Sequence, residues 1–133
     1  MIEMIGDLIA GILGLVRKGD FNKASEEIGR LYYDVLREDS SFFRKIPEED
    51  LTNKLLQEHN YTNGHLEILA ELLYAEAELE FARGNKKEAL EFSGKSLILF
   101  KHIDNEQKTY SFERDKKMKL LRERIEELIK IIK

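Results

Sequence analysis

The sequence predicts an all-α protein on three observations. One proline in 133 residues, with 36% charged residues, suits long solvent-facing helices and works against a strand-and-turn fold. Apolar residues recur at three- and four-residue steps through most of the chain. Gly19 and Gly84 each separate two such periodic runs, where a sharp turn between helices needs a residue at positive φ. A chain of this length buries about two thirds of its unfolded surface, so a single domain over residues 1–133 is expected.

From Met1, the residues Ile5, Leu8, Ile12 and Leu15 follow a helical period, and Ile2, Ile9, Leu13 and Val16 widen the stripe. The first helix is therefore expected to run to about residue 16. Lys18, Gly19 and Asp20 end it and supply a cap for a second helix with Phe21, Ala24, Ile28, Leu31 and Val35 on one face, flanked by Tyr32 and Leu36. The two should pack antiparallel as a hairpin over residues 1–37. Periodicity loosens over residues 38–63. Asp39, Ser40 and Ser41 read as a turn with Phe42, Phe43 and Ile46 tucked beneath it, and Pro47 followed by Glu48, Glu49 and Asp50 starts a short helix to about residue 58.

A long helix is expected from about residue 65. It carries two apolar lines, Leu66, Leu69, Leu73, Ala77 and Ile68, Leu72, Ala75, Leu79, Ala82, and so should be touched from two sides. Asn85 and Glu88 have capping-box spacing after the second glycine turn. The helix that follows, with Ala89, Leu90, Phe92, Leu97 and Phe100, closes a second hairpin over residues 64–103. Asp104 and Gln107 read as the cap of a last helix over residues 105–133, with Met118, Leu121, Ile125, Leu128 and Ile132 forming a seam. The seam lasts only about two heptads, which favours docking on its own domain over a free zipper. About six helices are expected in all.

The two turn windows also align. In residues 19–24 and 84–89 an alanine (Ala24, Ala89) follows the glycine by five positions, and a further glycine (Gly29, Gly94) follows by ten. A small residue there lets the second helix lie close to the first. On these residues the sequence resembles the tetratricopeptide repeat: Ala77, Gly84 and Ala89 fill its small-residue, turn and early-alanine positions in the second copy, and Gly19 and Ala24 in the first. The repeats are divergent, with Ile12 at the first copy's small position, Leu31 and Ser96 in place of a second alanine, and no closing proline. The plan is also similar to a set of small bacterial proteins without assigned activity, which share the apolar N-terminal helix, the acidic start at residues 47–51 and the leucine-rich run at residues 68–73. The resemblance implies a TPR-like α-α superhelix with the last helix as a cap. It further implies that ligand peptides lie along the first helix of each hairpin, which makes Ile9, Leu13, Val16, Arg17, Tyr74, Glu78 and Phe81 the candidate partner-binding residues. Of the cationic and amide side chains that the family uses to clamp peptide carboxylates, Arg17 is present, and that activity is not expected.

A net charge of −4 and a pI near 5.5 lack the dominant basic face that nucleic acid requires. Residues 1–16 are interrupted by Glu3 and Asp7, are too short to cross a bilayer, and are followed by Arg17 and Lys18, so neither a membrane span nor a signal peptide is expected. The lack of cysteine excludes disulfide and thiolate chemistry and points to the cytoplasm. His59 and His65, with Glu58 and Glu67 nearby, are of metal-ligating type, but without helical i, i+4 spacing no metal is expected, and His102 reads as a dipole partner near a helix end. Glu71, Glu76, Glu78 and Glu80 read as a solvated acidic face, because no Glu-x-x-His pair accompanies them. No phosphate loop, nucleophile elbow or HExxH motif occurs, so no enzyme and no cofactor are expected. Arg114, Lys116, Lys117, Lys119, Arg122 and Arg124 should pair along their own helix with Glu113, Asp115 and Glu123. What remains is a non-enzymatic interaction or scaffold domain for an unknown protein or peptide. The alternative is homo-oligomerisation through the N-terminal apolar helix.

Overall fold

The structure, a computed structural model, describes residues 2–107 and 110–132, with side chains from Ile5 onward. Among the described residues the chain forms seven α-helices and no strand: α1 (Ile2–Lys18), α2 (Phe21–Leu31), α3 (Ser40–Arg44), α4 (Leu51–Gln57), α5 (Asn63–Arg83), α6 (Lys86–Glu106) and α7 (Phe112–Ile132). A π turn, Tyr32–Leu36, extends α2, and a 3-10 turn, Glu48–Asp50, leads into α4. The predicted places of Met1 and Ile2 on the first stripe, and the interruption at Glu3, lie outside the described side chains, as does Lys133.

The helix missed in sequence is α3, where a turn was expected. The Asp39 carboxylate accepts from the Phe42 N–H at 3.2 Å and the Ser41 hydroxyl at 2.6 Å, which caps the start of one helical turn. Its end is held from α6. Lys95 Nζ donates to the carbonyls of Phe43 at 3.0 Å and Arg44 at 2.7 Å, satisfying groups that so short a helix leaves open.

Both turn glycines take the left-handed conformation, Gly19 at φ 82° and Gly84 at φ 87°. Gly84→Ala should therefore cost about 1 kcal/mol. Gly29, helical and with open space around an added Cβ, should respond oppositely, gaining about 0.5–1 kcal/mol as alanine. Urea unfolding of the two variants reads the opposite signs.

The predicted caps need correction. Neither Asp20 nor Asn85 makes a side-chain cap hydrogen bond, and Asn85 Nδ2 instead donates to Glu80 Oε1 at 2.7 Å. The reciprocal box belongs to α5: Thr62 Oγ1 accepts from the His65 N–H at 3.3 Å while the Thr62 N–H donates to His65 Nδ1 at 3.0 Å. The helix α6 continues past Ile103 to Glu106, and α7 is capped by Ser111 Oγ, which accepts from the Arg114 N–H at 3.2 Å. Asp104 is drawn away to the Arg114 guanidinium at 3.1 Å.

The central element is α5. Both of its apolar lines are buried, except that Ala82 is exposed. It packs on α6 on one side and on α1 and α2 on another, and α7 lies on α6. Ala24 and Ala89, just after the two turns, are fully buried where their helices approach their neighbours. The stripe of α1 is largely absorbed by this core through Ile5, Ile9 and Ile12, leaving Leu8 exposed. Phe43, Leu51 and Leu55 carry the segment between the hairpins into the same core, and Tyr61 donates its hydroxyl to the Leu36 carbonyl at 2.9 Å.

Candidate binding groove

Side chains from α7 reach α5 in a matched register. Lys117 Nζ pairs with Glu71 Oε1 and stands 5.7 Å from the Tyr74 ring centroid. Seven residues further along both helices, Arg124 Nη1 lies 3.4 Å from Glu78 and its guanidinium 3.6 Å from the Phe81 ring centroid. Equal steps with the same sign mean that α7 runs alongside α5 in the same direction. On the other side, Ile5, Ile9 and Leu13 of α1 line one cavity with Glu67, Ile68 and Glu71 of α5, and Arg17 acts electrostatically on Tyr74 further along. The first helix of each hairpin and the last helix are thus parallel neighbours. One helix, α6, intervenes between α5 and α7, and three, α2, α3 and α4, intervene between α1 and α5.

Between α1 and α7, above the N-terminal half of α5, lies a cavity of about 470 Å³. That is within the range of pockets that enclose small ligands or a few side chains. Ile9, Leu13, Ile68 and Phe100 make its wall apolar. Its rim carries charge of two kinds. Lys117 is engaged by Glu71, and Arg114 by Asp104 and Gln107, whereas Glu67 and Glu113 form no ion pair among the described residues.

The seven residues picked out in sequence divide along this face. Ile9 and Leu13 line the cavity, Ile9 as a buried floor and Leu13 half-buried. Val16 is half-buried against the core and Arg17 exposed. Tyr74, Glu78 and Phe81 lie under the side chains of α7, with burial pushing the Tyr74 hydroxyl up to about 12 and Glu78 adding to the shift. Sequence reasoning named Glu67, Glu113, Lys117 and Arg124 but placed none of them on this face. A signal for the last two was available, since Lys117 and Arg124 repeat the seven-residue spacing of Glu71 and Glu78.

Two charge expectations are corrected. The acidic residues of α5 are not a solvated face: Glu71 and Glu78 pair with α7, Glu80 accepts from Asn85 at 2.7 Å, and Glu76 is largely buried and accepts from Ser40 Oγ at 3.3 Å. Burial pushes the Glu76 carboxyl up to about 7. Arg114, Lys117 and Arg124 cross to α6 and α5 instead of pairing chiefly along their own helix, where the Arg124–Glu127 contact is 3.9 Å, while Lys116, Lys119 and Arg122 are exposed. Arg124→Ala should cost about 1–2 kcal/mol through lost cation–π contact, packing and charge pairing. Faster amide exchange along α7 would be the check.

The histidines serve local structure. His59 meets the Phe42 ring edge-on at 5.0 Å, His65 belongs to the Thr62 box, and His102 Nε2 lies 2.8 Å from Asn63 Oδ1 on α5 instead of bonding its own helix end. Among the described residues no group of three or more His, Cys, Asp or Glu is placed to hold a metal, and no helix is long and apolar enough to cross a membrane.

Fold and groove together define an all-α protein whose parallel helices α1, α5 and α7 frame a mixed apolar and acidic cavity. No family model, curated protein or solved structure matches the chain.

Proposed function

We propose that the chain is a non-enzymatic interaction domain of divergent tetratricopeptide-repeat plan, holding a segment of another protein in the groove between α1 and α7. The observation that carries this reading is the open apolar cavity on the shared face of three parallel helices, the first helix of each hairpin and the last helix. The matched left-handed glycines and buried alanines of the two hairpins support the repeat assignment. An acidic chain without cysteine suits the cytoplasm.

Ala10 is exposed and lines the cavity, so Ala10→Trp fills the groove without disturbing the core. Affinity capture from a native lysate, quantified by mass spectrometry, should retain a defined partner at stoichiometric yield on the unmodified protein. Both Ala10→Trp and Leu13→Glu should lose it. Equal retention by the two folded variants would contradict the groove assignment.

A further inference from the structure

We infer that the partner segment held in the groove is apolar and carries a lysine or arginine, whose cation docks on Glu67 and Glu113. This rests on the reading of the groove as a binding site for another protein. Five charged side chains line the cavity, and three of them are already matched. Lys117 and Glu71 oppose each other and Arg114 is opposed by Asp104, which leaves Glu67 and Glu113 without an ion pair among the described residues. The rim therefore carries unopposed negative charge at two points, one on α5 and one in the first turn of α7.

The charge is selective because of its place beside the apolar wall. Glu67 is half-buried and immediately precedes Ile68, which lines the cavity with Ile9, Leu13 and Phe100. An occupant that fills the cavity with aliphatic side chains takes water from the Glu67 carboxylate, and a carboxylate that loses water without gaining a partner is costly. A cation on the same segment replaces the lost hydration and reaches a second carboxylate at Glu113, which is exposed. A neutral segment leaves the desolvation uncompensated, and an acidic one adds repulsion. Partial exposure of both carboxylates keeps the effect moderate, about tenfold in affinity against a segment of the wrong sign, and sensitive to salt.

Two synthetic peptides of ~14 residues, about four helical turns, test the inference. One carries leucines at helical spacing and lysine at the remaining positions, and the other has glutamate in place of every lysine. Each is titrated with the full chain and followed by fluorescence anisotropy. The lysine peptide should bind about tenfold more tightly than the glutamate peptide, and ~0.5 M salt should shrink the difference. Combining Glu67→Lys with Glu113→Lys should reverse the ranking. Combining Glu123→Lys with Glu126→Lys, at two exposed residues outside the cavity, makes the same change in net charge and should preserve it. Circular dichroism establishes that both double variants are folded. Equal binding of the two peptides, no binding of the lysine peptide at about 1 mM, a ranking that survives the change at 67 and 113, or one that the change at 123 and 126 reverses as well overturns the inference. If the peptides show no preference yet Ala10→Trp removes a partner captured from the lysate, the charge assignment fails while the groove stands. If Ala10→Trp binds the lysine peptide as the unmodified protein does, the groove itself fails.

Discussion

Phe43→Ala is expected to lower the unfolding free energy by about 3–5 kcal/mol, the range for truncating a fully buried phenylalanine. Phe43 is 0% exposed, stacked on Tyr32 at 5.7 Å, edge-on to Phe42 at 5.0 Å and 6.2 Å from Tyr61. These rings come from the π turn, α3 and the entry to α5, so Phe43 joins the segment between the hairpins to both of them. Its carbonyl also accepts from Lys95, an arrangement that depends on α3 staying docked. Urea unfolding should give the loss, and amide exchange should show α3 and α4 opening before α5 and α6. A loss below about 1 kcal/mol with α3 still protected would mean that Leu51 and Leu55 hold the segment without it.

Glu76→Gln should stabilise the protein at pH 8 by about 1–3 kcal/mol and change little at pH 4.5. Burial pushes the folded-state carboxyl up to about 7 from the ordinary 4.5, Ser40, Arg44 and Arg83 oppose that shift, and Glu80 adds to it. Between those two values the folded chain holds a proton that the unfolded chain has released. Its unfolding free energy on this account falls as pH rises from about 4.5 to about 7, and is level above that. The full difference is about 3 kcal/mol at ~1.4 kcal/mol per pH unit. Glutamine keeps an acceptor for Ser40 and carries no charge to bury. Unfolding curves at pH 5 and pH 8 should converge for the variant in this part of the pH slope. A slope equal to that of the unmodified protein would show that Glu76 is hydrated in solution.

The helices were legible because their stripes have one period and one core. The lines on α5, the stripe on α1 and the glycines at 19 and 84 all express constraints that act within a few residues. Caps were less legible because a side chain chooses among competing partners. Asn85 has the right spacing to Glu88 yet turns back to Glu80, while the box that forms uses His65, an imidazole in a place where glutamate or glutamine is usual. The helix α3 escaped sequence reading because its far end is satisfied by Lys95, about fifty residues along the chain.

The groove was half legible for the same reason. Ile9 and Leu13 follow from helical period together with the repeat resemblance, whereas Glu67 and Glu113 meet at one rim only once α5 and α7 lie in parallel register. Local reasoning also sent the cations of α7 to neighbours on their own helix, where solvated pairs contribute a few tenths of a kcal/mol. Lys117 and Arg124 instead sit against aromatic rings of α5, where charge pairing and cation–π contact act together.

The most direct measurement of the central claim is photo-crosslinking from the groove in a native lysate. A benzophenone side chain replaces Ala10 in one sample and Tyr33, which is 63% exposed and outside the cavity, in the other. Position 10 should capture a defined protein, and position 33 should not. Equal capture from both positions, or none from position 10, would contradict the assignment of the face between α1 and α7 as the binding surface.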